Sequence, residues 1–162
     1  MSRKKRKGKT ASKPREASIP FRKWIRNPPP EFRMLAVFAL VFGIGQTLYR
    51  VFRDAIWPVW TVILNARVSA WVVNTLTPSE AVVLSGDTLI SRGFSVQIKP
   101  GCDGMDAMIL LVAAMVAFPM PWKRRLLGLG LGLFLLYWAN IARTVVLYYS
   151  AKYRPELFDF LH

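Results

Sequence analysis

From Met34 to Tyr49 the chain reads MLAVFALVFGIGQTLY, apolar apart from Gln46 and bracketed by Arg33 and Arg50. The run predicts a first transmembrane helix over 34–52. It falls short of the roughly 20 residues that a hydrocarbon core of about 30 Å requires unless the flanking arginines snorkel. A second apolar run, from Gly104 to Pro119, predicts a helix over 103–119, and a third, from Leu126 to about Ser150, predicts one over 126–150. The short Lys123-Arg124-Arg125 link makes those two an antiparallel pair. Ala55 to Leu76 is also long enough to span, but it contains Pro58, Asn65, Arg67 and Asn74. Between Ala81 and Lys99 the pattern changes to alternation, with Val82 to Leu84 and Phe94 to Ile98 as strands and Ser85-Gly86-Asp87 and Arg92-Gly93 as turn chemistry. A small β-hairpin over 81–99 is expected there.

Charge arbitrates the segment 55–76. The first 33 residues hold 12 of the 23 basic residues and only two acids, Glu16 and Glu31. If 55–76 lies on the membrane surface, this tail and the Lys123-Arg124-Arg125 loop share one side; if it spans, they fall on opposite sides, against the positive-inside tendency. The segment is therefore read as an interfacial amphipathic helix, with Trp57, Trp60 and Trp71 suited to the headgroup level. The fold class that follows is an all-α integral membrane helical bundle of about three transmembrane helices, one interfacial amphipathic helix and a small extracytoplasmic β-hairpin. Residues 1–33 form a basic cytoplasmic tail and residues 34–162 the membrane domain.

Composition narrows the class. A net charge of +14 beside 53% hydrophobic residues excludes both a disordered polycation and an ordinary soluble nucleic-acid binder. The opening MSRKKRKGKTASKPR lacks apolar periodicity and is expected to be disordered, with Pro28, Pro29 and Pro30 as a stiff break after it. Because it abuts an apolar run, anionic lipid headgroups are its expected partner, and no nucleic acid is expected. A cleaved signal peptide does not fit, since the basic region is too long.

Candidate chemistry gathers at one depth. Cys102 is the only cysteine, so no intrachain disulfide is possible. A lone cysteine beside an apolar helix is more often inert packing than a nucleophile. Here Pro100-Gly101 breaks the strand and GCDGMDAMILL opens a helix, which predicts the thiol at a helix N-terminus, where the dipole favours thiolate. Neighbouring Asp103 and Asp106 oppose that, so a cation is needed nearby. Counting from the basic loop, Cys102 lies 17 residues before Pro119 and Arg143 lies 17 after Leu126, which puts both about 26 Å from the turn. The same count puts Asp106 and Asn140 about 20 Å up. Two stacked polar layers are expected, Cys102 with Arg143 and Asp106 with Asn140. Arg143 could equally be a snorkelling residue, or pair with Asp106 to fix helix register. Gly128, Gly130 and Gly132 read as helix contact rather than a phosphate loop, and neither a cofactor nor a metal is expected. The only histidine, His162, ends the sequence, where a catalytic base would be unusual.

The order Pro-Gly-Cys-Asp-Gly-Met-Asp-Ala-Met (100–108), then Asn140-Ile-Ala-Arg143, then Glu156 to His162 resembles the exosortase/archaeosortase family, most closely the short exosortase H type. The resemblance runs from about Met34 to His162 and includes the FPMPWKRR loop and the GFSVQI strand. It implies a cysteine transpeptidase, a thiol protease of the bacterial inner membrane that cleaves C-terminal sorting signals of exported proteins. Such signals are a hydrophobic helix with a basic end, and the product is transferred to an acceptor. Cys102, Arg143 and His162 stand where the family's proposed catalytic residues would be, on the extracytoplasmic face, with Asp106 and Asn140 as supports. Family members continue past the histidine into a further hydrophobic helix, so the chain is expected to be truncated. The rival expectation is a non-enzymatic membrane assembly protein in which Asp106 and Arg143 only set helix register.

Overall fold

The computed structural model describes residues 29–154 and 156. The basic tail up to residue 28 and the terminal His162 lie outside the described residues. Helix α1, Pro30–Val51, starts at a proline, whose fixed φ and missing N–H suit the first helical turn. Glu31 to Arg33, assigned to the tail on sequence, are therefore its first turn. Helix α2, Arg53–Leu76, follows almost directly. Its middle, Pro58–Arg67, is wound as a π-helix, which opens at the proline that cannot donate to the ladder.

After a 3₁₀ turn at Pro78–Glu80 come β1 (Val83–Ser85), β2 (Thr88–Ser91) and β3 (Phe94–Gln97). They form one antiparallel sheet in the order β1-β2-β3, with Leu84 opposite Leu89 and Leu89 opposite Val96. The expected two-stranded hairpin is thus a three-stranded meander. Gly86 (φ +60°) and Gly93 (φ +71°) turn its corners in the left-handed region. The extra strand is Thr88–Ser91, the four residues between the two turns that the sequence did signal.

Helix α3, Met105–Ala117, is short, and α4, Trp122–Tyr153, is 32 residues long, about 48 Å. By length and composition α1, α2 and α4 could each cross a membrane, whereas α3 is a shorter apolar helix. The three candidate spans therefore include Arg53–Leu76, expected at the interface, and not the helix expected over 103–119.

These helices stack in two tiers along α4. In the lower tier α1 and α3 run antiparallel: Arg33 and Val37 line a groove with Ala117 and Pro119 at one end, and Gln46 and Tyr49 meet Asp106 and Asp103 at the other. The Arg33 end of α1 and Lys123, Arg124 and Arg125 in the first turn of α4 thus share one end, where Arg125 Nη2 donates to the Phe118 carbonyl at 3.0 Å. Small residues let the lower helices approach. A side chain at Gly45 would strike Ile109 at 2.6 Å, one at Gly132 would strike Leu111 at 2.7 Å, and Gly128 faces Met115. Gly130 looks into open space, so only two of the three glycines in that run make the contact.

The upper tier is α2, the sheet and the C-terminal half of α4. Trp60 and Asn65 meet Asp103 and Asn140, and Thr77 meets Tyr149, so α2 climbs beside α4 in the same direction. Its apolar core comprises Ala66, Ala70, Val73, Val82, Leu89, Ile98, Ile141, Val145 and Tyr148.

Candidate active site at the junction of the tiers

Cys102 does not sit on the helix. Helix α3 begins at Met105 with Gly104 as its N-cap, and Cys102 lies in the preceding turn, where its N–H donates to the Lys99 carbonyl at 3.0 Å. The reason is backbone geometry: Gly101 (φ +89°) and Gly104 (φ +78°) both take left-handed conformations, which delays helix entry by three residues relative to the thiol. The thiol is free, and the residue is half-buried.

Asp103, the next residue, is fully buried. Its Oδ2 accepts from the Tyr49 hydroxyl of α1 at 2.5 Å, and its main-chain carbonyl accepts from Trp60 Nε1 of α2 at 3.1 Å. Its other carboxyl oxygen, Oδ1, is buried without a hydrogen-bond partner among the described residues. Trp60, one of the tryptophans expected at headgroup level, instead donates inward. The π-helix carries it and Asn65 on one side, where Asn65 Nδ2 donates to the Trp60 carbonyl at 2.8 Å.

Asn140 closes the layer from α4. Its Nδ2 donates to Asn65 Oδ1 at 2.7 Å, and its side chain lies so close to Gly104 that a Cβ there would be 2.7 Å from Asn140 Cγ. The expected partnership of Asn140 with Asp106 is therefore displaced by about half a turn, onto Gly104. Helix α4 begins at Trp122, four residues before the apolar run, so Asn140 and Arg143 ride higher than the count from Leu126 put them. Asp106 is exposed and accepts from Gln46 Nε2 at 2.9 Å.

Arg143 is exposed, one turn beyond Asn140. No hydrogen bond or ion pair joins it to Cys102, Asp103 or Asp106 among the described residues, so the alternative of an Asp106–Arg143 register pair is not formed. The structure thus brings together the Cys102 turn, Asn140, Asn65, Trp60 and Tyr49. It leaves Arg143 one turn beyond that layer, with no hydrogen-bond or ion-pair partner among the described residues, and His162 is outside the described residues. No cluster of His, Cys, Asp or Glu able to hold a metal occurs among the described residues.

Sequence reasoning missed Tyr49, Trp60, Asn65 and the anchoring role of Asp103. The available signal was polarity in otherwise apolar helices, since Asn65 in α2 is costly there unless bonded. The partners themselves lie 43 to 75 residues apart and leave no local trace.

A second buried cluster lies in the upper tier. Glu80 accepts from Ser91 Oγ and Tyr148 OH at 2.8 Å each, and from Lys152 and Tyr153 as well. Lys152 foremost, then the tyrosines and Ser91, draw its carboxyl down to about pKa 2. It ties the 3₁₀ turn, β2 and the end of α4 together.

No match was found among curated proteins or among solved structures. A family model described as transmembrane exosortase matches residues 32–162, from the first turn of α1 through both tiers and the whole polar junction. The chain belongs to the transmembrane exosortase family.

Proposed function

We propose that this exosortase is a membrane cysteine transpeptidase that cleaves C-terminal sorting signals of exported proteins and passes the product to an acceptor. The observation that carries the reading is the placement of the lone thiol. Cys102 is half-buried on a turn shaped by two left-handed glycines, at the level where the lipid-type tier meets the tier with a buried core. A substrate anchored by a hydrophobic helix would present its scissile peptide at that boundary.

The sulfur of Cys102 attacks the peptide carbonyl carbon, the C–N bond breaks, and a thioester forms. His162 takes the thiol proton and returns it to the leaving amine, a task suited to an unperturbed pKa near 6.5. Arg143, exposed and without an ion-pair partner among the described residues, is available to stabilise the oxyanion. An amine or hydroxyl acceptor then attacks the thioester, the C–S bond breaks, and the thiol is regenerated. Asn140 supports the turn through Gly104, and Asp106 holds α3 to α1 through Gln46.

In this reading the lower tier lies in the bacterial inner membrane with its basic end cytoplasmic, where the tail meets anionic lipid. The sheet and the Cys102 turn are extracytoplasmic. Because α2 continues upward from the top of α1, two stacked helices of 22 and 24 residues would exceed one hydrocarbon core of about 30 Å. Helix α2 therefore belongs at or above the outer interface, although it is apolar enough to cross.

The test is processing of a cognate substrate in cells. Cys102→Ala and Arg143→Ala should each abolish it while the protein stays in the membrane. Undiminished processing by both Cys102→Ala and Cys102→Ser would leave a membrane assembly protein instead. A membrane-impermeant maleimide added to intact cells should label the single cysteine from outside, and labelling only after the inner face is opened would reverse the topology.

A further inference from the structure

The turn that carries Cys102 has few restraints of its own. Two of its residues, Gly101 and Gly104, are glycines at positive φ, and the main chain is tied locally by the bond from Cys102 N–H to Lys99. What holds it comes from elsewhere and converges on the two residues after the thiol. Helix α1 reaches Asp103 through the Tyr49 hydroxyl, α2 reaches it through Trp60, and α4 presses Asn140 against Gly104.

A fully buried carboxyl with one oxygen left without a partner is an unfavourable way to fill space, because an apolar residue of similar size would avoid the desolvation cost. The arrangement makes sense if the direction of the Asp103 side chain fixes the direction of its neighbour. The Asp103 carbonyl lies in the peptide that follows it and its N–H in the peptide it shares with Cys102, so pinning Asp103 by its carboxyl and its carbonyl fixes the Cα at which those two planes meet and limits how the Cys102–Asp103 unit can turn. We propose that Asp103 is a positioning residue for Cys102, anchored by Tyr49 and Trp60, so that the thiol is held at one height and angle at the junction of the tiers.

The inference rests on the transpeptidase reading for its catalytic consequence, but its physical core concerns the thiol alone. Asp103 would touch neither substrate nor reacting atoms. Misplacement of a nucleophile by about 1 Å costs on the order of 100-fold in rate, so the effect is expected in kcat rather than in substrate binding.

The experiment uses the full chain in membranes and two readouts, the time course of alkylation of Cys102 by a maleimide at one fixed pH and processing of a cognate substrate. Tyr49→Phe removes one oxygen and keeps the ring, so it tests the anchor with little risk to folding. Tyr49→Phe and Asp103→Ala should both alter the alkylation profile, speeding it as the half-buried thiol is released from its fixed position. Both should lower kcat by about 10- to 100-fold with KM changed by less than about 3-fold. Asp103→Asn keeps an acceptor for Tyr49 and should retain most of the wild-type profile and rate. Wild-type profiles in Tyr49→Phe and Asp103→Ala would overturn the proposal. So would an Asp103→Asn variant as impaired as Asp103→Ala beside an unaffected Tyr49→Phe, since the carboxyl would then act by its charge and not as an anchor. If the wild-type protein is alkylated but processes nothing, the transpeptidase reading fails while the Tyr49→Phe profile still decides the anchor.

Discussion

The two tiers solve the problem of apolar surface in opposite ways. In the lower tier the most apolar stretch of α1 has only 6% of its residues buried, and Leu35, Leu40, Ile44, Leu126, Leu127, Leu131 and Leu135 all face outward. Its helices meet through glycines, where backbones come close and packing replaces a hydrophobic driving force. In the upper tier a third of the apolar stretch of α2 is buried, against a sheet and the end of α4, and a buried carboxylate is fully surrounded by donors. That tier is built like a small water-soluble protein. The candidate site lies between the two, where helices that meet through glycines give way to a packed core with bonded polar groups.

The largest effect expected from this contrast is in the upper core. Leu89 is fully buried, paired across the sheet with Leu84 and Val96, and Leu89→Ala should cost about 2–5 kcal/mol of stability in thermal or denaturant unfolding of the detergent-solubilised protein. A loss below about 1 kcal/mol would mean that this tier is not held by a packed core.

Next comes the lower tier's own weak point. Gly132→Leu would drive a side chain into Leu111 and should cost about 1–3 kcal/mol, or displace α3 from α4. The same change at Gly130, which meets nothing, should be close to neutral. Equal effects at the two positions would refute the helix contact, and cross-linking between α3 and α4 would report the displacement directly.

How far this division could be read from the chain depends on how local each feature is. Apolar runs and turn glycines act within a few residues, and α1, α4 and the corners at Gly86 and Gly93 follow from them. The π-wound α2 was legible as an apolar helix but not in its direction, because climbing beside α4 is decided by contacts such as Asn65 with Asn140, 75 residues away. Helical counting puts Cys102 level with Arg143 and Asp106 level with Asn140, whereas Asn140 lies against Gly104. It assumed helix where Gly101 and Gly104 impose a turn, and it started α4 at the apolar run when the helix begins at Trp122. On sequence Asp103 only opposes the thiolate, since nothing local says that Tyr49 and Trp60 claim it.

The Glu80 cluster sharpens the comparison through pH. The folded carboxyl titrates near 2, well below the ordinary glutamate range near 4.3, because Lys152, Tyr153, Tyr148 and Ser91 donate to its charged form. The folded state therefore binds fewer protons than the unfolded one between those values. Stability from this group is fully present above the unfolded pKa and is lost as pH falls toward about 2. Unfolding followed between pH 6 and pH 3 should show a fall in melting temperature toward acid that Glu80→Gln flattens. A fall of the same size in the variant would assign acid sensitivity to other carboxylates.

The smallest expected effect is the most diagnostic of environment. Leu40 is 63% exposed on the outward face of α1, so Leu40→Ala removes almost no protein contact and should change stability in detergent by no more than about 0.5 kcal/mol. Leu40→Arg should be equally mild in detergent if that face meets solvent, but it should impair insertion of the chain in cells if the face meets lipid, where a central arginine costs about 2.5–3.5 kcal/mol. The matching substitution on α2, at Trp71, which is 63% exposed, should be tolerated during insertion if α2 lies at or above the interface. Comparing membrane integration of Leu40→Arg and Trp71→Arg thus reads the boundary between the tiers directly, and equal defects in both would place α2 inside the bilayer beside α1.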